Sequence, residues 1–314
     1  MVQAQMKISI AILTFNRVDT LKQLLLSLRE LTYSQLEVIV VDNNSGDGTE
    51  SLVKDEFPTF SYFRMDSNRG VAARNVGVKK ATGEIVITLD DDIVGINNES
   101  FLKLISLFDQ KPEVGAICFS VRNYYTGEIC NWSHHFKKEV YFNKEFITDE
   151  LTEGAVAFRK SVFEKCNGYP EDFFISHEGP DLVCRMLNNG YKTIYSPEIC
   201  VKHLVAKEGR PGWRRYYFDT RNQIWFVARN YPLFWCVTYL AKGLTAMGIY
   251  SIRDGYSSYW VKGIFDGIRG LKKALKSRTC ISKTTRTHLL EIKKYNPGII
   301  YMIKQRLLKR GVSI

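Results

Sequence analysis

Residues 84–92 read EIVITLDDD, an apolar run rich in β-branched side chains that ends in three consecutive aspartates. The run predicts a buried strand, and Asp90, Asp91 and Asp92 then follow its carboxyl end. No Lys or Arg stands beside them in the sequence, so their mutual repulsion favours the binding of a cation. Mg²⁺ and Mn²⁺ prefer carboxylate oxygens and keep positions open for phosphate and water. The stretch therefore predicts a metal and diphosphate site, with a solvated acidic turn as the alternative.

Similar apolar runs alternate with helical patterns through the first half of the chain. The predicted strands are residues 8–15, 36–42, 61–65, 84–89 and 114–119, and the predicted helices are residues 19–31, 48–57 and 70–81. This order predicts an α/β fold with a mostly parallel, Rossmann-like central sheet and helices on both faces. Ligands of such sheets bind at the carboxyl ends of the strands. The residues that follow each strand are therefore candidates for a binding site.

Polar side chains follow the first two predicted strands. Thr14, Asn16 and Arg17 come after the first strand, and Asp42 and Asn44 come at the end of the second. One such run alone is typical of a turn that caps a helix. Four polar strand ends that converge at one edge of the sheet favour a ligand site instead.

Residues 68–77 open the third predicted helix with small residues and two arginines. Gly70 and the alanines after it allow a ligand to approach the backbone, and Asn68 precedes them. A helix N-terminus and Arg74 both favour an anion such as a diphosphate. The spacing matches neither a P-loop nor a GxGxxG fingerprint, which argues against a kinase or a dinucleotide enzyme. The alternative is a helix whose small face packs on the sheet.

Two later segments carry candidate catalytic and metal-binding residues. Gly179-Pro180 is typical of a helix start, and Glu178 precedes it, where the helix dipole favours an ionised carboxylate. Glu178 is thus a candidate general base or a helix cap. Asp181 stands four residues before Arg185, the spacing of an ion pair on a helix. His203 follows a strand-like run and is a candidate second metal ligand, although a lone His is more often structural.

The composition is that of a folded protein. Of 314 residues, 45% are hydrophobic and 25% are charged, which excludes disordered and collagen-like classes. The start of the chain lacks the pattern of a signal peptide, so we expect a cytoplasmic protein. The seven cysteines show no CxxC pair, and we expect them to be reduced and buried.

The positive charge is concentrated at the end of the chain. Residues 201–314 contain 23 Lys and Arg against 5 Asp and Glu, within a net charge of +11. Residues 232–251 are apolar, but Lys242 interrupts them, so they are too broken to span a membrane. Residues 260–275 alternate apolar and basic side chains, a pattern that favours a helix lying on an anionic membrane surface. Packing on the domain is the alternative, and nucleic-acid binding through the aromatic and basic residues 210–230 is not favoured.

Five motifs in order resemble the family 2 inverting glycosyltransferases with the GT-A fold, over roughly residues 6–230. They are the opening ILTFNR, the stretch VVDNNSGDGT, the run NRGVAARN, the aspartate triplet in place of a DxD motif, and an acidic motif followed by a His. The resemblance implies that Asp42 contacts the nucleotide base, that Asp92 and His203 hold Mn²⁺ or Mg²⁺, and that Asp90 and Asp91 contact ribose or sugar. The predicted nucleotide-sugar contacts are Thr14, Asn16, Arg17, Asp42, Asn44, Asn68, Gly70, Arg74, Asp90 and Asp91.

The acidic motif departs from the family pattern. Many members place the base carboxylate where this chain has Gly179, so the resemblance leaves Glu178 or Asp181 as the base, with Glu178 favoured. A non-catalytic nucleotide-sugar-binding protein is one alternative, and a sugar nucleotidyltransferase is another. No glycine-rich, lysine-containing loop follows the first strand, which argues against the latter.

We therefore expect a metal-dependent inverting transferase that uses a UDP-sugar or dTDP-rhamnose. Its acceptor would be a growing, lipid-linked bacterial surface glycan, and the protein would lie at the inner face of the cell membrane. Residues 1–212 would form the GT-A domain that binds nucleotide sugar, and residues 213–314 a basic, mainly helical region. The sequence indicates neither the sugar, the linkage nor the oligomeric state.

Overall fold

A computed structural model describes residues 6–204, 212–298 and 301. The strands are β1 Ile8–Thr14, β2 Leu36–Asp42, β3 Ser61–Arg64, β4 Ile85–Asp90, β5 Ile93–Val94, β6 Val114–Asn123, β7 Phe146–Ile147, β8 Ala155–Arg159 and β9 Lys192–His203. They form one sheet in the order β3-β2-β1-β4-β8-β6-β9-β5, with β7 paired to β9. The strands predicted from the sequence are confirmed, and the one predicted at residues 114–119 extends to Asn123.

Helices cover both faces of this sheet and follow it along the chain. They are α1 Val18–Arg29, α2 Thr49–Ser51, α3 Arg74–Lys80, α4 Asn98–Gln110, α5 Lys138–Tyr141, α6 Lys160–Lys165, α7 Glu178–Asn188, α8 Trp213–Asn230, α9 Leu233–Arg253, α10 Ser257–Lys276 and α11 Lys283–Lys293. A π-helical turn, Leu52–Glu56, continues α2, and a 3-10 turn, Gly70–Ala73, precedes α3. The predicted helices at residues 48–57 and 70–81 are therefore each less regular than the apolar spacing indicates.

The central strands are apolar on both sides because both sides are covered. Along β1, Ile8, Ile10 and Ile12 face one core cluster, which also contains α1 and α4 side chains. Ala11 faces the other cluster, which contains side chains of α7 and α8. The alternation follows from the two-residue period of a strand.

The sheet is mixed, not mostly parallel. Strands β1, β2, β3 and β4 run parallel to one another, and β6 runs parallel to β9. Strand β8 lies antiparallel between β4 and β6, and β5 lies antiparallel to β9. The start of β8 and the end of β9 therefore reach the same edge as the end of β4.

The C-terminal helices pack on the sheet domain through α8. Phe226 and Val227 of α8 are buried in the same core cluster as α7 side chains, so the two regions share a core. The domain boundary at residue 212 stays a prediction. Within the part of the chain that the structure describes, no helix is long and apolar enough to cross a membrane.

All seven cysteines are free thiols. Cys118, Cys166 and Cys184 are buried as expected, whereas Cys280 is exposed. The expectation of burial is therefore wrong for Cys280, which follows the end of α10 in a surface segment.

Candidate active site

The loops that follow β1 and β4 meet at the carboxyl edge of the sheet. The Thr14 hydroxyl donates a hydrogen bond to Asp91 Oδ2 at 2.8 Å, and both side chains are buried. Arg17 Nη1 lies 3.3 Å from Asp91 Oδ1 and also forms an ion pair with Asp92. Burial raises the pKa of Asp91 to about 7, although the charge of Arg17 opposes this. The polar strand ends therefore converge as the sequence predicts.

The aspartate triplet has basic partners from other elements. Arg17 pairs with Asp91 and Asp92, and Arg74 of α3 pairs with Asp90. No Lys or Arg stands beside these carboxylates in the sequence, but the fold supplies two arginines from distant parts of the chain. Arg74 is only 3% exposed. It lies beneath the site beside Asp90, and its predicted contact with a diphosphate is untested.

Asn16 joins the loop after β1 to the loop after β2, and Asp42 joins the second loop to β3. Asn16, with a left-handed φ of 52°, donates its backbone N–H to Ser45 and accepts a hydrogen bond from the Gly46 N–H on its side-chain oxygen. Asp42 is fully buried. One of its oxygens accepts from the Ser45 N–H at 2.8 Å, and the other accepts from the Tyr62 hydroxyl at 2.6 Å. Its predicted contact with a nucleotide base stays a prediction.

The loops after β2 and β3 are joined by Asn43, a residue that the sequence analysis did not single out. Its side chain donates to the Gly70 carbonyl at 3.0 Å and accepts from the Arg69 N–H at 2.8 Å. Asn68 Oδ1 accepts from the Gly70 N–H at 2.9 Å. Asn44 lies nearby on the surface, where its side-chain oxygen accepts from Arg64 at 3.0 Å.

Gly70 makes the closest backbone approach in this region. Its φ is +61°, and a Cβ atom there would overlap the Phe174 carbonyl, lying 2.6 Å from its carbon. The Val71 N–H donates to that same carbonyl oxygen at 2.7 Å. Only glycine accommodates this approach without a shift of the backbone, so Gly70 joins the 3-10 turn to the segment before α7.

Asp92 and His203 are brought together by the pairing of β5 with β9. The register places Ile93 opposite His203, and Asp92 Oδ2 lies 3.3 Å from His203 Nε2. Burial alone would lower the pKa of His203, but the hydrogen bond and charge of Asp92 outweigh burial and raise it to about 9. Asp92 Oδ1 is buried without a hydrogen-bond partner among the described residues.

The donor set fits a divalent cation that takes most of its ligands from a diphosphate and water. A carboxylate and an imidazole suit Mn²⁺, and the unpaired Asp92 oxygen offers a ligand atom. Residues 6–204, 212–298 and 301 contain no group of three or more His, Cys, Asp or Glu side chains placed to hold a metal. Arg17 now pairs with Asp92. A cation bound to Asp92 would therefore compete with the guanidinium for that carboxylate.

The segment before α7 is shaped by α8. Phe174, Ser176 and His177 all have left-handed φ values, 65°, 78° and 64°. The Asn222 side chain of α8 donates to the carbonyls of Phe173, Ile175 and Ser176 at 2.7–2.8 Å. These bonds fix the start of α7, whose first residue is the buried Glu178.

Asp181 has a structural position. It is fully buried, and Oδ2 accepts from Arg185 at 2.6 Å and 3.0 Å. Oδ1 accepts from Arg229 at 3.0 Å and from Asn230 at 2.8 Å. Four donors occupy the carboxylate, so it has no free lone pair directed to a substrate. This arrangement favours a structural role for Asp181, which joins α7 to α8, over the predicted catalytic one.

Glu153 begins the run EGAVAFR, which the sequence pattern predicts as a tight strand lining a sugar pocket without giving Glu153 a role of its own. It precedes β8 and lies beside Glu178 and Arg74. Burial, and next the charge of Glu178, raise the pKa of Glu153 well above its usual range. The only sequence signal was its position before the small-residue run GAVAFR.

Comparison with known proteins identifies the class. Residues 9–166 match Glycosyl transferase family 2, so the chain belongs to this family and is a glycosyltransferase. It is 27% identical over 231 residues to the O-antigen chain rhamnosyltransferase RfbN of Salmonella typhimurium, covering 68% of this chain and 71% of that protein. Over 113 residues it is 32% identical to the poly-beta-1,6-N-acetyl-D-glucosamine synthase of Staphylococcus epidermidis, covering 35% of this chain and 27% of the synthase.

Solved structures show the same fold. GalNAc-T7 with UDP, GalNAc and Mn²⁺ superimposes with a TM-score of 0.65 at 16% identity, covering 94% of this chain and 59% of that one. Residues 1–349 of S. aureus TarS with UDP-GlcNAc give a TM-score of 0.59 at 18% identity, covering 92% and 89%. The predicted GT-A fold with a helical C-terminal region is confirmed.

Proposed function

We propose that this chain is a metal-dependent, inverting glycosyltransferase that adds a sugar from a nucleoside-diphosphate donor to a growing bacterial glycan. The observation that carries the proposal is the approach of Asp92 to His203, 3.3 Å apart at the carboxyl edge of the sheet. That edge is where ligands of α/β sheets bind. The names of its relatives, an O-antigen rhamnosyltransferase and a polysaccharide synthase, support a glycan as the acceptor.

The donor in this proposal is a UDP-sugar or dTDP-rhamnose. The rhamnosyltransferase relative supports the latter, and the two solved neighbours that contain UDP or UDP-GlcNAc support the former. The nucleotide would lie across the loops after β1, β2 and β4. Its proposed contacts are Thr14, Asn16, Arg17, Asp42, Asn44, Asn68, Gly70, Arg74, Asp90 and Asp91.

Asp92 and His203 would hold Mn²⁺ or Mg²⁺, which supplies positive charge that stabilises the leaving diphosphate. Arg17 would exchange its pairing with Asp92 for a contact with the same diphosphate. Because the acceptor hydroxyl attacks from the face opposite the diphosphate, configuration at the anomeric carbon inverts. A carboxylate on the acceptor side must take the hydroxyl proton, and the sequence pattern favours Glu178 for this step.

The C-terminal helices are proposed to bind an anionic membrane surface at its cytoplasmic face. Exposed apolar side chains on α9 and α10 include Leu233, Phe234, Val237, Ile252, Val261, Phe265 and Ile268. Exposed basic residues Lys262, Arg269 and Lys272 lie among them on α10. Apolar and basic side chains on one helix are typical of interfacial binding, which would bring residues 1–212 to a lipid-linked acceptor.

Calorimetric binding of UDP, dTDP and GDP, with and without Mn²⁺, tests the proposal. We expect one diphosphate to bind in a metal-dependent manner and Asp92→Ala to remove that dependence. Asp55→Ala, an exposed carboxylate on the π-helical turn after α2, is the matched control and should bind as the wild type does. No binding of any diphosphate by the wild type would refute the donor site. Binding without turnover of any sugar donor would favour a non-catalytic nucleotide-sugar-binding protein.

A further inference from the structure

The space beside the start of α7 is filled by a carboxyl group from another segment. A Cβ atom added to Gly179 would overlap Oε1 of Glu153 and lie 3.2 Å from Leu151 Cβ. Any side chain at position 179 would therefore enter the volume that the Glu153 carboxyl now occupies. A glycine at position 179 and a glutamate at position 153 fit each other sterically.

The backbone around Glu153 brings it to the edge of the sheet where β4 ends. Gly154 follows it with φ +75°, and the Asp90 N–H donates to the Gly154 carbonyl at 3.0 Å. The Asp90 carboxylate lies against the Cα of Gly154, since a Cβ there would overlap it. Glu153 is therefore the sequence neighbour of Gly154, the residue that contacts the Asp90 side chain of the aspartate triplet.

The carboxyl group of Glu153 lies beside the Tyr169 hydroxyl but makes no hydrogen bond of normal geometry with it. Both of its oxygens are buried without a partner among residues 6–204, 212–298 and 301. Leaving a buried polar group unpaired is costly, and most such groups in proteins are paired. A ligand hydroxyl that donates to this carboxyl would satisfy it, and an acceptor sugar supplies such hydroxyls.

We propose that Glu153 is the general base that accepts the proton of the acceptor hydroxyl, an inference that rests on the proposed transferase function. The acceptor O–H bond breaks, and its proton moves to a Glu153 carboxylate oxygen. The acceptor oxygen forms a bond to the anomeric carbon of the donor sugar. The bond from that carbon to the β-phosphate oxygen breaks, and its electron pair leaves with the nucleoside diphosphate. This proposal gives Glu153 the step for which the sequence pattern favours its neighbour Glu178.

The surrounding charges agree with this role. Burial and the charge of Glu178 raise the pKa of Glu153, and Arg74 opposes them. A carboxylate with a raised pKa is a stronger proton acceptor near neutral pH than an ordinary glutamate. Arg74 lies near both carboxylates and limits the cost of their repulsion.

The experiment removes the Glu153 carboxylate and then supplies a carboxylate from position 179 in its place. Release of nucleoside diphosphate from dTDP-rhamnose, UDP-glucose and UDP-GlcNAc is measured with Mn²⁺, with octyl glucoside or water as acceptor. We expect Glu153→Gln to lower kcat by about 10²–10⁴-fold, with the Kd for the nucleoside diphosphate unchanged within about threefold by calorimetry. In the double variant with Glu153→Ala and Gly179→Asp, the new carboxylate enters the vacated space and should recover at least about tenfold over Glu153→Ala.

Controls separate this inference from a structural role and from the proposed function. Glu150→Gln removes another, half-buried acid three residues earlier and should keep activity within about threefold. The inference is overturned if Glu153→Gln stays within threefold of an active wild type, or loses nucleotide affinity and thermal stability together with activity. A folded double variant that recovers nothing also overturns it. A wild type that consumes no donor and binds no diphosphate refutes the transferase function itself.

Discussion

Replacing Asp181 with Ala is expected to destabilise the fold by about 3 kcal/mol and to leave the chemistry of the site unchanged. The carboxylate is fully buried and accepts hydrogen bonds from Arg185, Arg229 and Asn230. Removing one partner of a buried ion pair costs about 3–5 kcal/mol, because the other charge stays buried without compensation. Arg185 also donates to the Gly168 carbonyl at 2.7 Å. Because Arg185 keeps this partner when Asp181 is removed, we expect a loss of stability at the lower end of that range.

Urea unfolding followed by tryptophan fluorescence measures this loss. Trp225 lies in α8 and donates to the Gly267 carbonyl of α10 at 2.9 Å, so its emission reports the packing of both helices. Asp55→Ala, in an exposed turn, should change the free energy of unfolding by less than about 0.5 kcal/mol. The reasoning fails if Asp181→Ala keeps its stability within about 1 kcal/mol of the wild type while nucleoside diphosphate release falls more than a hundredfold. That result would assign Asp181 to the reaction.

Three further predictions concern other parts of the molecule. Gly70→Ala should lower the free energy of unfolding by roughly 1–3 kcal/mol, because φ is +61° and the new Cβ would overlap the Phe174 carbonyl. Urea titration measures this loss, and an unchanged unfolding midpoint would contradict the prediction. The pKa of Glu153 is raised from 4.5 on folding, so the free energy of unfolding of the wild type falls as pH rises above 4.5. Glu153→Gln has no carboxyl group at this position, so this contribution to its stability does not change with pH. The stability of Glu153→Gln relative to wild type should therefore increase from pH 5 to pH 8 in thermal melts, and a constant difference would refute the shift. Joint replacement of Phe265 and Ile268 by Ser should weaken binding to vesicles of phosphatidylglycerol by about tenfold or more in a sedimentation assay, since each exposed side chain buries apolar area in the interface. Leu102→Ser, which removes an exposed leucine from α4, is the control, and equal loss in both would argue against a membrane face on α10.

The sheet core could be predicted from the sequence because burial on both faces leaves a local pattern. The runs at residues 8–15, 36–42 and 84–89 consist mostly of apolar residues, and each forms an inner strand of the sheet. The strand pattern alone also predicts that the polar residues after these strands lie at one edge of the sheet, because parallel strands end at the same edge. Thr14 and Asp91 meet there as this reasoning requires.

The partners of the charged residues could not be predicted, because they depend on contacts between distant segments. Arg17 and Arg74 neutralise aspartates that stand 75 and 16 residues away. Asp181 has its nearby partner Arg185, which the i,i+4 spacing predicts, but Arg229 and Asn230 come from α8. Helical spacing detects neighbours on one helix and carries no information about a second helix packed against it.

Glu153 escaped interpretation for a related reason. Its position depends on β8 running antiparallel between β4 and β6, a reversal that the strand pattern does not encode. The five residues Ala155–Arg159 are apolar enough to fit a strand of either direction. Only the pairing of Leu89 with Ala155 places the preceding residue next to the aspartate triplet.

The reversed strand makes the two ends of the segment between β6 and β8 neighbours in space. Residues 124–154 begin at the end of β6 and return to the same edge at the start of β8, and β7 within them pairs with β9. An insertion in the exposed turn at residues 124–128 would therefore leave the strand order and the loops after β1 and β2 unchanged. Engineers who wish to add a recognition element for a longer sugar chain can place it in this turn and keep Glu153 at the edge of the sheet.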